Sequence, residues 1–367
     1  MRAVTVVPKQ PGSAELTDEP EPDPSEGDLL VEAIAVGVDG TDQEIIDGAY
    51  GWAPPGKDRL VLGHESLGRV QEAPDGGGFS PGDLVVGIVR HPDPDPCINC
   101  AVGEWDMCRN GRYTEHGIKE RDGFIRERYR LRPEMTVKVD PGLERLAVLT
   151  EPTSVVAKAW DHVDRIGQRA RWDPERALVT GAGPIGLLAA MIGVQKGLEV
   201  HVLDRVTEGP KPALVHDLGA AYHADLEETK DPFDAVIECT GVGPLVFHAI
   251  EHLAAGGVMC LTGIASSDRK VPLDASARNK EMVLNNSVVF GSVNANRRHF
   301  EQAERALASA ARAWLDRIVT RWVPLDRWHE ALERRPDDVK TAIDLGATGS
   351  ASPQREASAA RRRRSPR

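Results

Sequence analysis

The sequence predicts a two-domain α/β protein, a β-barrel-like domain joined to a doubly wound parallel sheet covered by helices. Three observations carry this expectation. The first 150 residues are rich in Gly, Pro and Asp and hold short β-like runs ("LLVEAIAVGV", "LVLGHESLGRV", "GDLVVGIV") separated by turns. From about Glu151 the chain alternates short, fully apolar runs with helical segments, the pattern of strands buried on both faces. The glycine-rich "TGAGPIG" stands where one such strand meets a helix. At 367 residues, 41% of them hydrophobic, the chain is long enough for two cores.

The elements follow in order. "EPTSVVAKAWDHVDRIG" has helical spacing, with Val155, Val156, Ala159 and Val163 on one face. Apolar strands are expected at "ALVT", "EVHVLD", "FDAVIECTG", "GVMCLTG" and "SVVFGSV". "HFEQAERALASAARAW" reads as one more helix, and "IVTRWVPLDRWHEALE" with "VKTAIDLG" reads as a return to the first domain. Residues 1–170 and 297–346 are thus assigned to the barrel-like domain and 171–296 to the parallel-sheet domain. The remaining 347–367 carry six arginines against one glutamate and are expected to be a disordered basic tail.

Composition narrows the function. The formal net charge is -12, and the basic tail makes the body more acidic still, which argues against nucleic acid as the ligand. No apolar run reaches membrane-spanning length, and "MRAVTVVPKQ" lacks the apolar stretch of a signal peptide, so the expectation is a cytoplasmic protein without a membrane partner. Five cysteines in such a chain do not suggest a disulfide framework.

The strand "ALV" leads into Gly181-x-Gly183-x-x-Gly186, with Pro184 and Ile185 opening an apolar helix. Gly181 suits the tight turn, Gly183 the approach of a pyrophosphate, and Gly186 the packing of helix on sheet. Phosphates would sit at the helix N-terminus. "EVHVLD" ends in Asp204, 18 residues after Gly186, where a carboxylate binds ribose hydroxyls and repels a 2′-phosphate. NAD is therefore favoured; Arg205 beside it keeps NADP open. Thr240, in "IECTG", is added to the nucleotide set.

Cys97, Cys100 and Cys108 have metal-ligand spacing. Three thiolates supply three corners of a zinc tetrahedron, and Asp93 or Asp95 lies upstream as a candidate fourth. A closed site of this kind would be structural. Trp105 beside it reads as lobe packing; Cys239 and Cys260 read as buried strand residues. His91, His116 and His299 read as surface or structural groups.

A second constellation is more scattered. Asp39, His64, Glu65 and Glu151 all stand at boundaries between elements, and one imidazole with carboxylates and an open position suits a catalytic zinc. Spacing alone does not establish that they converge.

At this point the chain resembles a known family. "VGVDGTD", "LGHE", the C-x2-C-x7-C lobe, "TGAGPIGLLAA" and "GSVNAN", in that order, look like the zinc-dependent medium-chain dehydrogenase/reductase superfamily. The resemblance spans roughly residues 1 to 346 and is closest to the archaeal-type glucose (aldose) 1-dehydrogenase branch. It implies a GroES-like catalytic domain, a Rossmann domain, one catalytic and one structural zinc, and a homodimer or homotetramer, with "SVVFGSV" as the subunit edge. It implies that Asp39, His64, Glu65 and Glu151 serve the catalytic zinc. Thr41 would start the proton relay, Glu115 and Asn294 would meet the sugar, and Asn294 would also lie near the nicotinamide. The implied reaction oxidises an aldose at C1 to the lactone; the alternative substrate is another polyol, an aminocyclitol or a secondary alcohol. Three positions depart from the branch: Pro94 stands where a fourth cysteine is usual, Val89 where some sugar-specific relatives carry asparagine, and Asp204 where members that use NADP well carry basic residues.

Overall fold

A computed structural model describes residues 1–229, 231–265, 270 and 272–346, so the expected basic tail lies outside the described residues. Its first third is built from short strands: β1 (Arg2–Val6), β2 (Glu15–Asp18), β3 (Leu29–Val38), β4 (Leu60–Val61), β5 (Glu65–Glu72), β6 (Leu84–Gly87), β7 (Arg90–His91), β8 (Thr114–His116), β9 (Glu120–Arg121), β10 (Arg128–Leu131) and β11 (Thr136–Lys138). A short helix, α1 (Gly40–Ile46), follows β3. β3 alternates buried and partly exposed residues from Leu29 to Ile34 and is buried on both faces thereafter. The reason is packing: Ala35 faces one hydrophobic cluster while Val36 and Val38 face the other. That double burial brings the end of β3, and Asp39 after it, into the interior.

Helix α2 (Thr150–Gly167) connects this body to a six-stranded parallel sheet. The sheet comprises β12 (Arg176–Thr180), β13 (Glu199–Leu203), β14 (Ala221–His223), β15 (Phe233–Glu238), β16 (Leu253–Leu261) and β17 (Val288–Gly291). Their order, β14-β13-β12-β15-β16-β17, is the doubly wound arrangement with its switch point beside β12. Helices α3 (Pro184–Gln195), α4 (Pro210–Asp217), α5 (Gly243–Glu251) and α6 (Ala275–Asn285) connect the strands. Residues Gly186–Gly193 of α3 are all buried, which explains why this helix is apolar all round. The Trp160 indole N–H donates to the Ala189 carbonyl at 3.0 Å, tying α2 to α3.

The predicted last helix is broken into α7 (Arg297–Ala308) and α8 (Arg312–Leu315). The Trp314 indole donates to the Leu214 carbonyl of α4 at 2.8 Å, an attachment that the straight helix does not reach. The chain then returns: β18 (Val319–Pro324) pairs parallel to β19 (Lys340–Asp344), and β19 pairs antiparallel to β3. The sheet order β11-β6-β5-β3-β19-β18 therefore interleaves the two ends of the sequence. Among the described residues no helix is long and apolar enough to cross a membrane.

Candidate functional site

Asp39 caps α1. One carboxylate oxygen accepts from the Thr41 amide at 2.8 Å and the Asp42 amide at 3.4 Å, and the other accepts from the Thr41 hydroxyl at 3.3 Å. This is a capping box, for the Asp42 carboxylate accepts from the Asp39 amide in return. The turn-forming and site-forming roles of Asp39 coexist because the cap leaves its Oδ2 pointing at His64 Nε2, 3.5 Å away. Ligand atoms of Asp39, His64 and Glu65 all lie within 4.8 Å of one another. Asp42, absent from the sequence-based set, is buried with Oδ1 3.8 Å from His64 Nδ1. At that distance it adds negative charge beside the imidazole without a hydrogen bond, and both atoms are left without a hydrogen-bond partner. The only sequence signal for it was the D-x-x-D capping pattern.

Lys340 was also missed. It arrives on β19, buried, donates to the Val38 carbonyl at 3.1 Å and contacts both oxygens of Glu65. Nothing in the local sequence marks a lysine whose partner lies 275 positions away.

The electrostatics are one-sided. Asp39, Asp42, Glu65 and Glu151 crowd a single histidine and a single lysine. Burial, reinforced by the Glu65 and Asp39 carboxylates and only partly offset by His64 and Lys340, pushes Glu151 up to about 8. Burial likewise pushes Glu65 up, with Lys340 opposing, and lifts Asp42 to about 6. Burial works against the Asp39 charge too, yet His64 and Lys340 outweigh it and hold Asp39 well below the usual range. The same carboxylates outweigh burial at His64 and raise it well above an ordinary histidine. A buried site with more carboxylates than cations fits a divalent ion, and the donor set of one imidazole with hard oxygens fits zinc.

The centre lies where two cavities meet. One, of about 400 Å³, has Asp39, Glu65, Pro184, Ile185 and Lys340 in its wall. The other, of about 450 Å³, is lined by Thr41, His64, Val89, Glu115, Glu151 and Asn294, among others. Glu115 and Asn294 meet directly, Asn294 Nδ2 donating to Glu115 Oε1 at 2.8 Å. The structure thus gathers Asp39, Thr41, His64, Glu65, Glu115, Glu151 and Asn294 around one space.

The glycine turn follows β12 at the switch point. Gly181 has φ +91° and donates to the Leu203 carbonyl at 2.6 Å; a Cβ at Gly186 would run into the Gly181 carbonyl. Asp204 accepts from the Ala182 amide at 2.7 Å and lies 3.3 Å from Lys211, while Arg205 is exposed. Thr240 is turned towards Glu238, whose buried carboxylate accepts from the Thr240 amide at 2.7 Å and from its hydroxyl.

The cysteine lobe differs from expectation. Cys97, Cys100 and Cys108 group within 4.8 Å, but among the described residues no fourth ligand joins them. The Asp93 carboxylate is taken by Asn110 at 2.8 Å and Arg112 at 3.2 Å, and exposed Asp95 also faces Arg112. The residues fit three thiolate corners of a zinc site and do not close it. His91, His116 and His299 are all buried, so none is a surface group. Arg132 donates to His91 Nδ1 at 2.8 Å and His91 meets His116 at 3.0 Å, a chain that makes both structural. Cys260 is buried as expected; Cys239 is half-buried.

Fold and site together define a medium-chain dehydrogenase of the GroES-like plus Rossmann type. Residues 25–141 match the alcohol dehydrogenase GroES-like domain, and residues 144–345 match the family described as glucose dehydrogenase C-terminus. The chain belongs to the zinc-dependent medium-chain dehydrogenase/reductase superfamily, in its archaeal-type glucose dehydrogenase branch. It is 39% identical over 359 residues to a glucose 1-dehydrogenase of Methanocella arvoryzae, covering 95% of this chain and 100% of that one. It is 41% identical over 352 residues to a glucose 1-dehydrogenase of Thermoproteus tenax, covering 94% and 99%. The solved glucose dehydrogenase of Haloferax mediterranei superposes with TM-score 0.85 at 33% identity, covering 94% of this chain and 99% of that one. The same neighbour is also solved in complex with NADP, Zn and gluconolactone.

Proposed function

We propose that the protein oxidises an aldose at C1 to its lactone, passing hydride to NAD(P)+. The observation that carries this reading is the carboxylate-rich centre at the meeting of the two cavities, with the Glu115–Asn294 pair in the wall of one and the opening of α3 in the wall of the other. Asp39, His64, Glu65 and Glu151 would hold a zinc ion, which when bound supplies the Lewis acidity that lowers the pKa of the C1 hydroxyl. Thr41 takes the hydroxyl proton and passes it towards solvent, its own hydroxyl oriented by Asp39. The C1–H bond breaks with its electron pair, and the hydride reaches C4 of the nicotinamide. Glu115 and Asn294 orient the sugar, and the helix following the glycine turn receives the pyrophosphate.

Gly181, Gly183, Pro184, Ile185, Gly186, Asp204, Arg205, Thr240 and Asn294 form the nucleotide set. Asp204 favours NAD, and exposed Arg205 leaves NADP as an alternative. Cys97, Cys100 and Cys108 would hold a second zinc, supplying three of its ligands. Residues 1–170 and 297–346 act as the catalytic domain and 171–296 as the nucleotide domain, a division supported by the pairing of β19 with β3. The protein works in the cytoplasm as a homodimer or homotetramer, and β17, paired only with β16 among the described residues, is the subunit edge.

One observation favours a second reading. Val89 is buried and lines the substrate cavity, where an asparagine would offer a sugar hydroxyl a partner. A less hydroxylated alcohol suits that wall better. Initial rates for a panel of aldoses, polyols and secondary alcohols with NAD and with NADP, followed by absorbance of the reduced nicotinamide, decide between them. Turnover of aldoses supports the first reading; turnover confined to other alcohols replaces it.

A further inference from the structure

Lys158, on α2, is 1% exposed, and its ammonium lies 2.8 Å from an equally buried oxygen of Asp106. It does not line either cavity of the site. Burying such a pair costs several kcal/mol in desolvation, so its retention calls for strong compensation. Lys158 finds a second partner in the Val293 carbonyl, at 3.0 Å, one residue before Asn294. Asp106 finds one in Asn296, whose amide donates to its other oxygen at 2.8 Å. The Asp106 backbone carbonyl accepts from Arg90 at 3.0 Å. Arg90 in turn grips Glu115 Oε1 with two nitrogens, each at 2.9 Å. The Asn294 amide donates to that same oxygen.

These contacts close a ring that runs from Lys158 through Val293 and Asn294 to Glu115, then through Arg90 and Asp106 back to Lys158. It joins three separate pieces: α2, the cysteine lobe, and the segment after β17. Asn294 sits on it with φ 60°, a left-handed conformation that costs a non-glycine residue about 1 kcal/mol and needs fixing by its surroundings. The Asn294 side-chain oxygen accepts from the Ala295 amide at 2.8 Å, which settles which way the amide faces.

We propose that Lys158 is a positioning residue: by clamping the Val293 carbonyl to Asp106 of the cysteine lobe, it sets Asn294 against Glu115 and thereby the affinity for the sugar. This rests on the sugar-oxidation reading for its substrate, and on the ring alone for its geometry. Lys158→Met removes the clamp; Lys158→Met with Asp106→Asn removes it without leaving a buried charge. In both variants the aldose KM rises about ten-fold or more, the scale of a small misplacement of a binding group, while kcat stays within a few-fold of wild type. Lys158→Arg recovers part of the loss. Amide exchange over residues 288–296 quickens about ten-fold in both, as expected when a local tether worth roughly 1.4 kcal/mol is cut. A double variant that melts like wild type, keeps its KM and keeps its exchange protection there overturns the proposal. The exchange measurement needs no turnover. If the wild-type protein oxidises some other alcohol, the sugar reading fails while quickened exchange still supports the clamp and unchanged exchange still defeats it.

Discussion

Asp39, His64, Glu65 and Glu151 reach one point from the ends of β3 and β5 and the start of α2, while Cys97, Cys100 and Cys108 lie within twelve residues of one another. The first group is mostly buried and carries more negative than positive charge. The second is held by two 3-10 turns, with Cys97 and Cys108 partly exposed. Where donors converge over long range, the metal belongs to the electrostatics of the core. Where they come from one loop, it staples that loop and little else. Loss of metal should therefore be felt very differently at the two centres.

The largest effect is expected at Asp39. Asp39→Ala removes a proposed metal ligand and should lower kcat/KM by about 10³-fold, the several kcal/mol that a Lewis acid contributes. Metal analysis should show one equivalent lost and the cysteine-bound one retained. The helix cap accounts for only about 1 kcal/mol, so the variant should still fold. A variant with full metal content and full activity would erase the distinction between the centres.

A smaller effect concerns charge. In chelator-treated protein, Glu151 titrates near 8 instead of in the ordinary carboxylate range, so ionising it favours the unfolded chain. Stability from the protonated form is complete below about 4.5 and drains away as pH rises towards 8. Raised His64 acts in the same direction on a window starting at the ordinary histidine value of 6.5. The melting temperature of metal-free protein should therefore fall as pH rises from about 5 to about 8, and Glu151→Gln should flatten that slope. Added zinc should restore wild-type protein most at the upper end. A pH-independent melting curve without metal would show that the carboxylates are not confined as described.

The smallest effect is expected in the lobe. Cys97→Ser with Cys108→Ser should abolish the second metal equivalent, leave kcat within a few-fold, and lower stability by about 1–2 kcal/mol, typical of a surface loop losing a tether. A collapse of activity equal to that of Asp39→Ala would mean that the lobe acts directly on the chemistry.

What could be read from the sequence follows the same division. The parallel sheet, its glycine turn and the cysteine spacing are local patterns, and each appears where it was expected. The carboxylates of the buried centre could be nominated from their places at element boundaries, but their convergence was not legible, because β3, β5 and α2 bring them together through tertiary packing. Lys340 and Lys158 were not legible at all, and Asp42 only through its capping pattern: a buried charge is defined by its partner, and those partners are far away in sequence or hidden in a cap. For His91 and His116 the sequence left surface and structural roles open, and only their burial decides for the structural one, as burial is not written beside a histidine. The missing fourth thiol was visible at Pro94, but that Asp93 is already committed to Arg112 and Asn110 needed coordinates.

Lys340 gives the chain a sense of time. The carboxylate of Glu65 is in place as soon as β5 exists, yet the ammonium that neutralises it belongs to β19, 275 residues later. A fragment ending before β19 would hold a carboxylate it must leave protonated or solvated, and β3 would keep an open edge. The candidate site is thus completed by residues from both ends of the chain, with the whole parallel sheet inserted between them in sequence. Its closing contacts have the large sequence separation that slows folding.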